Sequence, residues 1–185
     1  AEEMVSEGVD MIDIGGESTR PGSPAVPLDE ELRRVIPAVY ALRDLGRPLS
    51  IDTYKPEVMR EAILAGAAMI NDINAFRAPG ALEAVADSDC GLCVMHMQRS
   101  PETMQQSPEY ADVVKEVIDF LRERVDAMAA AGIDRKRICI DPGFGFGKTV
   151  EHNYALLRNI GKMQQELGLP VLAGLSRKSM IGAVT

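Results

Sequence analysis

Leu49-Ser50-Ile51-Asp52-Thr53-Tyr54-Lys55-Pro56 decides the fold. A short apolar run ends in an aspartate, passes through three polar residues and meets a proline. That proline suits the first turn of a helix, where its missing N–H costs nothing. The same grammar recurs along the chain. Strands are predicted near residues 11–15, 49–53, 69–73, 92–97, 138–141 and 171–175, alternating with helical patterns over 30–45, 56–65, 80–86, 110–131 and 153–167. Gly46, Gly66, Gly132 and Gly168 follow four of these helices where C-terminal caps are expected. Strand–helix alternation of this kind implies a parallel sheet with right-handed crossovers.

An open doubly wound sheet and a closed barrel both satisfy that pattern. Asp13, Asp52, Asn71 and Asp141 each stand at or near the C-terminal end of an otherwise apolar strand. Residues so placed on successive strands converge over a barrel mouth, whereas an open sheet gathers its ligands at one switch point. The expectation is therefore an α/β fold, a (β/α)8 TIM barrel, as one domain over 1–185. Such barrels take about 250 residues and eight strands. Residues 1–8 read as the tail of a helix and 179–185 as the start of one, so the first and last strands are expected to be missing from this chain.

Bulk properties exclude several functions. The 185 residues are 46% hydrophobic and 26% charged, as in ordinary globular proteins. A formal charge of -8 without a Lys/Arg run argues against a nucleic-acid partner. No apolar stretch approaches the roughly 20 residues of a membrane span, and the opening residues do not read as a signal peptide. Three cysteines fit a reducing, cytoplasmic setting better than a disulfide framework. Cys90 and Cys93 form a CxxC with no second ligand pair, so buried thiols are expected there and at Cys139. Two histidines cannot make a three-histidine metal site; His96 reads as structural and His152 as a helix N-terminal residue.

Four strings carry candidate chemistry. Gly15-Gly16-Glu17-Ser18-Thr19-Arg20-Pro21-Gly22-Ser23 is either an anion cradle, with N–H groups, a hydroxyl and a guanidinium, or simply a turn-rich loop. Asp52 and Asn71 on neighbouring strands match a heterocycle offering N–H donors and a carbonyl, or else satisfy local backbone. Asp141-Pro142-Gly143-Phe144-Gly145-Phe146-Gly147-Lys148 can approach a ligand closely with an aromatic face, or pack on the rim, and lacks P-loop spacing. Gly174-Leu175-Ser176-Arg177-Lys178-Ser179 is a basic turn that either binds a ligand's anion or carbonyl, or is merely solvated.

Taken together, DIGGESTRPGS, SIDTYKPEV, INDI, VMHMQ, DPGFGFGKT with HNYALL, and LSRKSMIG resemble the dihydropteroate synthase family in order and approximate spacing. The resemblance runs from Asp13 to Gly182. It implies a pterin pocket of Asp52, Asn71, Met95, Asp141 and Lys178, with Thr19 near the substrate diphosphate and Arg20 on a loop over the site. It further implies a p-aminobenzoate pocket at Pro21, Phe146 and Ser176, and a Mg²⁺ ion whose ligand belongs to the first-strand loop, with no metal ligand in this chain. The implied substrates are 6-hydroxymethyl-7,8-dihydropterin diphosphate and p-aminobenzoate, and the implied assembly is a homodimer. The rivals are a methyltetrahydrofolate–corrinoid methyltransferase barrel, which would not carry GGESTRPGS or SRKSMIG, and a non-catalytic pterin-binding fragment. A polypeptide truly without the first and last strand segments is expected to release no pyrophosphate in a turnover assay.

Overall fold

The strands are short because each carries only the residues needed to span from helix end to mouth. The computed structural model describes residues 1–20, 22–99, 103–104 and 107–182. Among them the order is α1 (Glu2–Ser6), β1 (Ile12–Gly15), α2 (Leu28–Leu42), β2 (Leu49–Asp52), α3 (Pro56–Ala65), β3 (Met69–Asp72) and α4 (Ala81–Val85). There follow β4 (Gly91–Met95), α5 (Val113–Ala130), β5 (Ile138–Asp141), α6 (Val150–Arg158), α7 (Ile160–Leu167) and α8 (Ser179–Gly182). The strands are all parallel and pair in chain order, β1-β2-β3-β4-β5. This is an arc of successive β/α units of a (β/α)8 barrel.

Side-chain alternation then divides the sheet into two faces. Ile12, Leu49, Ile51, Ile70, Leu92, Val94, Ile138 and Ile140 are all buried and pack outward under the helices in one large cluster. The opposite face carries the polar set. Register aligns Asp13 with Ser50, Asp52 with Asn71, Cys93 with Cys139, and Met95 with Asp141. A second, smaller cluster of Ile73, Met95, Met97 and Met104, flanked by Tyr54 and Phe146, sits at the mouth.

Two predicted elements form differently. Residues 171–175 make no strand: Val171 bridges Ile140, and Leu172 N donates to Ile140 O at 2.8 Å, so the run hugs β5 without a ladder. The helix predicted over 153–167 breaks at Asn159 into α6 and α7. There the Asn159 amide donates to Ala155 O at 2.8 Å, a local bond that competes with helix continuation. Thr149 and His152 close a reciprocal capping box at the start of α6, which accounts for His152.

A buried ionic knot fixes the first loop to the second. Lys55 Nζ donates to Glu17 Oε2 at 2.6 Å and also to Glu31 Oε2. Glu31 is 1% exposed, and its other oxygen accepts from Thr53 Oγ1 at 2.6 Å. Glu17 further accepts from Tyr54 Oη at 2.8 Å and Val26 N at 2.8 Å, closing the loop on itself. Burial pushes the Glu17 carboxyl up, but the hydrogen bonds from Lys55, Val26 and Tyr54 outweigh it and hold the group below its usual value. Lys55→Met removes the shared cation and strands two carboxylates, which is expected to cost about 3 kcal/mol of stability in urea unfolding. The loss should diminish when pH falls far enough to protonate Glu17.

Candidate active site

The polar face of the sheet concentrates its carboxylates toward the C-terminal strand ends. Asp141, 6% exposed, lies level with Met95 across the β4–β5 ladder. Asp52 and Asn71 are direct partners in the β2–β3 ladder, so their side chains stand side by side. Asp52 Oδ1 and Asn71 Oδ1 are buried and accept no hydrogen bond from the described residues. A buried acceptor without a partner costs free energy, so these two oxygens define a row that suits a ligand edge rich in N–H donors.

Electrostatics agree with that geometry. Burial raises the Asp52 carboxyl to about 7, reinforced by the negative charges of Asp13, Asp72, Glu31 and Glu17. Burial lifts Asp141 to about 6, against the Gly143 N–H, Lys148 and Lys178, which pull it back. Asp13 is exposed on the inner face of β1 yet crowded, and desolvation raises it while Ser50 and Asn71 moderate the rise. Burial lowers Lys178, with Asp141 and Asp52 opposing. Lys178 therefore brings a cation to a site otherwise made of acids, and its Nζ lies 4.4 Å from the Phe146 ring centroid. Acceptors on neighbouring strands with a cationic donor coupled to them can grip a planar heterocycle.

The loops complete the surroundings. A cavity of about 340 Å³ is walled by Glu17, Thr19, Tyr54, Ile73 and Met97, among others. A larger one of about 770 Å³ is walled by Thr19, Arg20, Phe146, Ser176 and Lys178, among others. Thr19 is common to both, while Asp52, Asn71 and Asp141 wall neither. The structure thus gathers Thr19, Arg20, Phe146, Ser176 and Lys178 around one space. Met95 sits in the methionine cluster beside Phe146. Pro21 lies outside the described residues. Phe144, at 1% exposure, is a core residue rather than part of the mouth. No group of three or more His, Cys, Asp or Glu able to hold a metal ion occurs among the described residues, so the Mg²⁺ expected from the resemblance finds no donor set in them.

Sequence placed Asp13 at a strand end without naming its partners, and it did not single out Lys148. Asp13 joins Ser50 and Asn71 through ladder register, which no single motif encodes. Lys148, 4% exposed, donates from Nζ to His96 Nδ1, Gly143 O and Phe146 O, each at 2.9 Å. His96 is buried between this ammonium and the edge of Phe120 from α5, with ring centroids 4.9 Å apart. Burial and Lys148 drive its pKa down to about 2, so the ring is a neutral structural element on the helix side, as its strand parity predicts.

The fold and this polar row are those of a parallel β/α barrel with acids and an amide gathered at the strand ends. The "Pterin binding enzyme" family matches residues 1–185. The chain belongs to that family. It is 48% identical over 180 residues to the dihydropteroate synthase of Escherichia coli strain K12, covering 97% of this chain and 64% of that protein. The Burkholderia cenocepacia dihydropteroate synthase complexed with 7,8-dihydropteroate superposes with TM-score 0.92 at 59% identity, over 99% of this chain and 68% of that one. The Xanthomonas albilineans enzyme with 4-aminobenzoic acid gives TM-score 0.91 at 55% identity, over 98% and 64%. The chain spans about two thirds of the length of these proteins.

The raised Asp52 carboxyl makes a stability prediction. Its folded pKa of about 7 exceeds the unfolded value of 3.8, so the folded state holds the extra proton between them and stability falls as pH rises through that window. Asp52→Asn is expected to raise the melting temperature at pH 8 and to raise it less at pH 5.5. A mutant less stable than the parent at pH 8 would contradict the assignment.

Proposed function

We propose that the protein is a dihydropteroate synthase, joining 6-hydroxymethyl-7,8-dihydropterin diphosphate to p-aminobenzoate with release of pyrophosphate. The observation that carries this reading is the pair of buried acceptors without a partner among the described residues, Asp52 Oδ1 and Asn71 Oδ1, held side by side, with Lys178 coupled to both Asp52 and Asp141. A pterin's amino and ring N–H groups are the donors such a row requires. The relatives crystallised with 7,8-dihydropteroate and 4-aminobenzoic acid support both substrate classes. In this reading 1–185 is one pterin-binding domain of a homodimeric, cytoplasmic enzyme.

Within the proposed site, Asp52, Asn71 and Asp141 accept from the pterin, Met95 lines its face, and Lys178 donates to a ring carbonyl or nitrogen. Thr19 and Arg20 meet the diphosphate, and Phe146 and Ser176, with Pro21, meet the arylamine. The arylamine nitrogen forms a bond to the pterin methylene carbon while that carbon's bond to the diphosphate oxygen breaks. The nitrogen then loses a proton, and pyrophosphate leaves. A neutral amine attacks directly, so no side chain need serve as nucleophile. What the site must stabilise is positive charge developing on the pterin and negative charge on the leaving group. Asp141, with a pKa of about 6, is mostly ionised at neutral pH and suits the first task. Mg²⁺ would serve the second, and the described residues supply no ligand set for it.

The experiment is pyrophosphate release dependent on p-aminobenzoate, run beside methyl transfer from methyltetrahydrofolate to a corrinoid. Pyrophosphate without methyl transfer is expected, and the reverse would replace this reading. Asp141→Asn is expected to lower kcat by about a hundredfold, the scale of losing one charge that stabilises a transition state, with KM for the pterin diphosphate rising far less. A rise in KM with kcat unchanged would mean that Asp141 only binds.

A further inference from the structure

We propose that Lys148 is a positioning residue whose ammonium fastens the loop after β5 to the end of β4 and so sets the Phe146 ring in the site. The substrate assignments in its test rest on the function proposed above; the structural part does not. Lys148 Nζ reaches Gly143 O, Phe146 O and His96 Nδ1 at 2.9 Å each and His96 O at 3.3 Å. Three of these acceptors are backbone carbonyls, from two different loops. An ammonium has three protons, and four acceptors already compete for them. Although Lys148 borders the larger cavity, it has no donor left for a ligand. Its role is therefore internal.

The backbone shows how close the two loops are. A Cβ at Gly143, where φ is +68°, would lie 1.9 Å from His96 O, and one at Gly147 would lie 2.9 Å from Gln98 Cβ. The loop is thus pressed against the segment following β4, and the Gly143, Phe146 and His96 carbonyls converge on one point, Lys148 Nζ. Such an arrangement repels unless a cation stands between the oxygens. Lys148 Nζ occupies that place: burial brings its pKa down to about 7, Asp141 opposes the fall, and the three carbonyls around it favour the charged form. On the far side Gly143 N donates to Asp141 Oδ1 at 2.7 Å, and Tyr110 Oη donates to Gly147 O at 2.8 Å. The loop is consequently fixed at both ends and in the middle, and Phe146 is left to present its ring to Lys178 Nζ.

Lys148→Met keeps the bulk and removes the charge and all its hydrogen bonds. In the protein carrying this change, amide hydrogen exchange over 143–147 should speed up by about tenfold or more, the size of one lost charge-assisted hydrogen bond. KM for p-aminobenzoate should rise by a similar factor of about ten, with KM for the pterin diphosphate within about twofold. Unchanged exchange, or a collapse of kcat with exchange and both KM values unmoved, would overturn the proposal and make Lys148 a direct participant. A second measurement needs no mutant. Ring ¹⁵N NMR of His96 at pH 7 should show an unprotonated Nδ1 and a protonated Nε2, and a protonated Nδ1 would overturn the proposal. Were the parent protein to give no synthase reaction, the proposed function would fail, while the exchange and NMR results would still decide for or against Lys148.

Discussion

Parallel pairing in register is the constraint from which the site follows. In a parallel sheet, residues facing each other across a ladder point to the same side. Once Asp52 pairs with Asn71 and Met95 with Asp141, their side chains have no choice of face. The outward face is set at the same stroke, because Ile51, Ile70, Val94 and Ile140 must go under the helices. A slip of one residue in any ladder would bury the acids among aliphatic side chains and turn the isoleucines into the mouth. Hydrophobic burial on one side thus enforces the polar geometry on the other.

That geometry is not comfortable, and the protein answers it with cations placed off the sheet. Lys55 sits between two carboxylates at one side, and Lys148 sits among carbonyls at the other. Lys55 donates to both carboxylates and lies over the Tyr54 ring, and Lys148 has more acceptors than protons. Lys178 also lies over a ring, that of Phe146. The distinction separates cations hydrogen-bonded to protein acceptors from one whose side chain has no hydrogen-bond partner among the described residues.

Much of this was legible in the sequence, for identifiable reasons. The five strands announce themselves as short apolar runs, four of them carrying an Asp or Asn at or near the end, and Pro56 marks the start of α3 at its true first residue. Gly66 and Gly168 close α3 and α7 in left-handed caps at the expected places. Other features were hidden. Residues 171–175 have strand composition but make a single bridge, since composition does not say whether a neighbour completes the ladder. The break at Asn159 rests on one side-chain bond inside an otherwise helical pattern. Phe144 and Phe146 look equivalent in an alternating Gly-Phe string. Only the packed loop sends the first into the core and leaves the second at the mouth. Lys148 read as the tail of a motif, because its partners are two carbonyls of its own loop and two His96 atoms some fifty residues away, and backbone acceptors carry no sequence signature.

The order of the strands has one more consequence. Each strand pairs with the one before it in the chain, so every ladder closes over a single helix and two loops. Contacts of modest sequence separation lose less chain entropy on forming than contacts between distant segments. Assembly can then advance from the amino end, each new strand finding a finished edge to dock on. A polypeptide emerging from the ribosome would meet its template already laid down.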